Sequence, residues 1–125
     1  MGSATETEPG RLAQMRQLME EANAAREEYE KAAWKYGESA YHESLLEARR
    51  PGVKQTVVSR IMADGKVAAT NAEKLATTDP EYLAHLTAQR DACADKNAAH
   101  TRMESARMRV KIALAGVRVL MGDEI

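Results

Sequence analysis

Three side chains with metal-binding or nucleophilic chemistry fall in one stretch: His85, Cys93 and His100. Metal ligands on a helix sit three or four residues apart, so that both reach one ion. Here the separations are eight and seven, which on a helix is roughly 10–12 Å. One helix does not chelate at that spacing. Cys93 is also the only cysteine, so no second thiol or local signature marks it as a nucleophile. The carboxylate pairs Glu20-Glu21 and Glu27-Glu28 would need a cleft that shifts their pKa values before they could do acid–base work. Their periodicity puts them on an exposed helix face instead. There is no glycine-rich phosphate loop. No catalytic, cofactor or metal site is expected, and the chain is not expected to be an enzyme.

A second group of residues could contact phosphates: Arg49, Arg50 and Lys54 around a turn, and Arg107, Arg109, Lys111 and Arg118 near the C-terminal end. Duplex binders usually show a strongly basic face, whereas this chain has a net charge of −1. Stacking platforms need aromatics beside the cations. Here Tyr29, Trp34, Tyr36 and Tyr41 cluster in the acidic half, as an aromatic packing group. Nucleic-acid binding is therefore the alternative to protein–protein contact, and not the first choice.

The elements that must position these residues are helices. Alanine, the best helix former, is the commonest residue at 23 of 125. Leu, Ile and Val together number only 19 and Phe is absent, so each helix has little bulk to bury. Small cores of this kind are often completed by a second subunit, and a homo-oligomer, with a dimer favoured, is expected. A lone cysteine suits a reducing compartment. No apolar run approaches the roughly 18–20 residues of a membrane span, and the polar N-terminus lacks a secretion signal. A cytoplasmic location follows, with no membrane partner.

Residues 1–8 read as a flexible tail, and 9–125 as a single helical domain. The first helix is expected over about 8–49. Its apolar seam runs through Leu12, Met15, Met19, Ala22, Tyr29, Ala33, Tyr36 and Ala40, interrupted at Arg26. A second stripe of Trp34, Tyr41, Leu45 and Ala48 widens the face, and Gly37 beside it implies close approach of another backbone. Arg49-Arg50-Pro51-Gly52 predicts a break, because proline disfavours helix at the residue before it. A second helix over about 53–76 carries Val58, Ile61, Gly65, Ala68, Ala72 and Leu75 in 3-4 spacing. Gly65 reads as a packing site within it, the alternative being a break there.

Thr78-x-x-Glu81 fits a capping box and opens a third helix over about 80–121, which closes on Gly122. Its first half has too thin a seam to be more than a solvated arm. From Met103 the seam is dense, and Met103, Val110, Ile112, Leu114, Val117 and Leu120 are the expected oligomer interface. Residues 1–47 hold ten acidic and five basic side chains, whereas residues 100–121 hold five basic and one acidic. These opposite fields favour pairing of the two ends, within a chain or across a dimer. The fold expected is all-α: an elongated helical hairpin or three-helix bundle with coiled-coil-like packing.

Val53-Lys54, the helix start Glu81-Tyr82-Leu83-Ala84-His85-Leu86 and the closing Met103–Leu120 stretch carry a likeness of pattern over about residues 20–121. In these the chain resembles the small alanine- and charge-rich coiled-coil accessory proteins of tailed bacteriophages, found among early replication and recombination genes. The resemblance implies an accessory protein in the host cytoplasm. Such a protein binds and modulates a host or phage DNA-processing or defence machine, and no catalytic residue carries over.

Overall fold

The computed structural model describes residues 8–122. The expected tail over residues 1–8 thus lies outside the described residues, apart from Glu8, where the first helix begins. The protein is all-α, with α1 at Glu8–Gly65, α2 at Ala69–Ala76 and α3 at Pro80–Leu120. It groups into two compact units, one of residues up to Lys35 with those from Ala98 onward, the other Tyr36–Asn97.

In the first unit α1 and α3 form an antiparallel hairpin. Leu18 meets Gly116, and further along α1 Glu28 meets Arg109, earlier on α3. The fully buried positions are all alanine: Ala22, Ala25 and Ala32 on α1, and Ala99, Ala106 and Ala113 on α3. Met15, Leu18 and Tyr29, with Met103, Val110, Val117 and Leu120, are half-buried between them in the same 3-4 rhythm. Alanine at the contact lets helix axes approach towards the lower end of the roughly 8–10 Å range. This close approach displaces the expected seam by one position in places. Leu18 and Ala25 are used, Leu12 and Met19 stay exposed, and the interruption at Arg26 disappears. At Gly116 the two helices are close enough that a Cβ would lie 2.9 Å from Leu18 Cδ1.

In the second unit α1 continues through Arg49-Arg50-Pro51-Gly52 without a break, against the expected helices over 8–49 and 53–76. Pro51 removes one donor, so the Glu47 carbonyl loses its helical partner. Glu47, Arg50, Pro51 and Gly52 are all exposed, which leaves that carbonyl open to water. Before and after the proline, Leu46, Val53 and Val57 keep one helical phase and pack inward. Tertiary burial on the inner face thus outweighs a local breaker on the outer face. Gly37 lies on the outside with nothing within 4 Å of a built Cβ, so the close backbone approach expected there is absent.

The helix stops at Gly65 instead of running to residue 76. Lys66 takes a left-handed conformation (φ 52°) and Ala68 is extended, so residues 66–68 turn the chain into α2. Gly65, Ala68 and Leu75 are exposed and make no seam. The turn lets α2 fold back and close a core of Val57, Val58, Ala72 and Ala76, with Ile61, Val67 and Tyr82 against it. The cap of α3 also differs from the expected box. Asp79 Oδ1 accepts the Glu81 N–H at 2.9 Å, whereas the Thr78 hydroxyl donates back to the Leu75 carbonyl at 3.2 Å. Asp79 Oδ2 binds Arg60 Nη2 at 2.7 Å and ties the start of α3 to α1. The first half of α3 is no solvated arm, since Ala92 is buried and Tyr82, His85, Leu86, Gln89 and Lys96 are half-buried. At the far end of α3, Gly122 (φ 78°) terminates the helix as its sequence position suggested.

Two outcomes follow in urea unfolding followed by circular dichroism. Pro51→Ala restores a helical donor at a site where the helix already forms, and should stabilise the protein by about 1–3 kcal/mol. Ala106→Leu adds bulk at a position with no exposed surface and should destabilise it by about 1–3 kcal/mol.

Candidate interaction surfaces

The helical registers divide the side chains into those used inside the hairpins and those left outside. Of the expected interface residues, Met103, Val110, Val117 and Leu120 occupy the inner seam against α1, and Leu114 flanks it half-buried. Ile112 faces outward. It shares that outer face with Met108, Ala115 and Val119 at 4-3-4 spacing. Met108, Ile112 and Val119 are 57, 65 and 68% exposed. Met108 and Ala115 are exposed, whereas Ile112 and Val119, also exposed, flank the seam and border grooves shared with Leu18 and Glu21 of α1; the sequence reading missed Met108, although the spacing was there to find it. The dense apolar stretch is therefore two faces, one of them filled by the chain itself.

The aromatic group divides in the same way. Tyr29 and Tyr36 are half-buried at seam positions of their units, whereas Trp34 and Tyr41 are 76 and 70% exposed. Nothing brings the four together as one packing cluster.

The cations are spread over several helix faces. Arg109 binds Glu28 across the hairpin, which holds the Glu28 carboxyl below the usual carboxylate range. Arg107 binds Glu104 at 2.8 Å on its own helix. Lys111 and Arg118 are exposed elsewhere on α3. Arg49, Arg50 and Lys54 lie within α1, not on a turn, with only Lys54 half-buried. No continuous basic tract joins these positions within either unit.

In the second unit the seam also takes in polar side chains. Ser39 is buried, and Lys96 Nζ lies 2.7 Å from Glu43 Oε1 with side chains only 27 and 19% exposed. Bonding to Lys96, with a further bond from Cys93, holds the Glu43 carboxyl below the usual range. The same Glu43 pushes the Cys93 thiol up, helped by burial, the opposite of the shift that activates a nucleophilic cysteine. His85 Nε2 lies 2.7 Å from the Leu46 carbonyl oxygen. A carbonyl only accepts, so that nitrogen carries the proton and donates. His100 sits 3.9 Å from Glu104 on α3. His85, Cys93 and His100 thus have three separate environments, and among the described residues no group of three or more His, Cys, Asp or Glu is placed to hold a metal ion. No described helix is long and apolar enough to cross a membrane.

Comparison of the chain with protein-family models, with curated proteins and with solved structures finds no match.

The polar seam makes a pH prediction. Glu43 and Asp79 both have carboxyl pKa values lowered in the folded state, Asp79 chiefly by its bond to Arg60. Such groups add stability that is fully present above the unfolded carboxylate pKa and is lost as pH falls through the folded value. Thermal midpoints should hold from neutral pH down to the ordinary carboxylate range and drop below it. Glu43→Gln should lower the midpoint at neutral pH and flatten the acid limb, a change that a pH series of melts measures.

Proposed function

We propose that the protein is a non-catalytic helical module that works by protein–protein contact and self-associates through the outer face of α3. The observation that carries this reading is the Met108, Ile112, Ala115, Val119 stripe, three large apolar side chains more than half exposed on one outward face. Contiguous exposed apolar surface of this kind marks interaction sites more often than singly scattered residues do. Its rim carries Lys111 and Arg118, and the exposed side of α1 in the same unit carries Glu20 and Glu27. Trp34, an amphipathic side chain of the type enriched at binding hot spots, offers a second outward anchor for a different protein.

The resemblance to phage accessory proteins supports a partner in a DNA-processing or defence machine of phage or host, where the module would modulate activity by occupying a surface. The scattered cations favour this reading over direct nucleic-acid binding.

Light scattering on the purified chain should give a mass near twice 13.8 kDa. Ile112→Asp with Val119→Asp should weaken association by about 100-fold or more while leaving the helical circular dichroism intact. Val110→Asp, inside the hairpin, should unfold the protein instead. A single-chain mass for the parent protein at tens of micromolar overturns the self-association claim.

A further inference from the structure

The outward face of α3 in the first unit is longer than its apolar stripe. Thr101, Ser105, Met108, Ile112, Ala115 and Val119 follow one another at alternating steps of four and three residues, all exposed and none charged. That spacing is the seam of a paired helix, with Ile112 and Val119 at the a positions and Met108 and Ala115 at the d positions. β-branched residues at a suit a parallel pair of two strands. Beside this seam, Glu104, Lys111 and Arg118 occupy the g positions on one edge. Arg109 and Gly116 occupy the e positions on the other.

A second copy can lie on this face in either direction, and the edge charges separate the two. Antiparallel pairing sets a against d, so Ile112 meets either Ala115 or Met108 of the second copy. The first register places Lys111 beside Arg118 of the second copy, and by symmetry does so twice. The second register places Lys111 beside Lys111 of the second copy, and Arg109 beside its Arg109. Like charges face each other in both. Parallel pairing in register sets each g residue beside the e residue five further on. Glu104 then lies beside Arg109 of the second copy and Lys111 beside its Gly116, and no like charges meet at these positions. Glu104 and Arg109 already bond within the chain, to Arg107 and Glu28. The direction therefore follows from the like-charge layers of the antiparallel registers, not from a new ion pair.

Gly116 also borders a groove of about 490 Å³ that Leu18, Glu21 and Val119 help to line. Glu21 is exposed and takes a 3.4 Å bond from Gln17 of its own helix. A lysine has an apolar stem and a charged head, which matches an apolar groove with a carboxylate at its side. Given the self-association proposed above, on which this rests, we infer that the second copy pairs its α3 parallel to this one and in register. Lys111 of each chain lies in the other's groove, its stem on Leu18 and Val119 and its ammonium towards Glu21.

The test is disulfide trapping in a Cys93→Ser background, with Met108→Cys or Val119→Cys as the single thiol. A parallel pair brings two copies of one position together, so each variant alone should give a linked dimer on mild oxidation, read on a non-reducing gel. Either antiparallel register holds the Val119→Cys thiols about 16 Å or more apart along the axis. Linkage confined to mixtures of the two variants, or a dimer mass by light scattering without linkage of Val119→Cys, overturns the parallel pairing and leaves self-association standing. A single-chain mass at tens of micromolar overturns self-association itself. Glu21→Lys and Lys111→Glu should each weaken association by about 3-fold or more in sedimentation equilibrium, and the two together in one chain should restore it. Tighter association on Lys111→Glu, or a loss that the double variant does not restore, overturns the groove contact.

Discussion

The contact on which this structure depends is alanine against alanine. In the first unit the fully buried side chains are alanines spaced along facing helices, and the larger residues take up half-buried places around them. Such a seam stabilises by close approach of two helices and by the many weak contacts that follow, and not by bulk. It has two consequences. The partner comes near, and at Gly116 a Cβ would meet the end of the Leu18 side chain, which would have to shift. The seam is also narrow, and larger apolar side chains on the same helix are left outside it. Met108, Ile112 and Val119 are exposed for that reason.

An alanine seam is nearly featureless along its length, and a slip by one heptad changes its packing little. The charged layers resist such a slip. Moving the helices by seven residues would set Glu43 against Gln89 or Met103 instead of Lys96, leaving a largely buried charge without its partner. A slip in one direction would also set Glu28 against Gly116 in place of Arg109, although the opposite slip would offer it Arg102. The polar residues in the two units therefore specify alignment more than they add stability, much as a buried polar residue fixes register in paired helices. The Arg60–Asp79 bond does the same for the start of α3.

Helix class was legible because it rests on local chemistry: alanine content, 3-4 spacing, and the Asp79-Pro80 and Gly122 signals at the ends of α3. Pro51 misled because its cost is local, whereas the burial of Leu46, Val53 and Val57 that carries the helix past it involves residues distant in sequence. Gly65 misled in the opposite direction. The 3-4 spacing runs through it, yet a left-handed Lys66 and the core made by folding α2 back on Val57 and Val58 end the helix there. At the candidate surfaces the residues Ile112 and Trp34 were picked out as important, but their outward direction was not readable, since a dense apolar run on a helix does not announce which of its faces its own chain will cover.

The sequence by itself determined that this chain is all-α, that α3 starts beside Asp79-Pro80 and ends at Gly122, and that its two ends carry opposite charge bias. These follow from propensity, spacing and the sign of charges, all of which are local or additive. Tertiary structure decided which of two adjacent stripes became the seam, that a proline could sit within a helix, and that Glu21 and Gly116 share one groove. Those depend on the rotation and register of one helix against another, which small side chains leave open until the charged layers and the distant contacts are made.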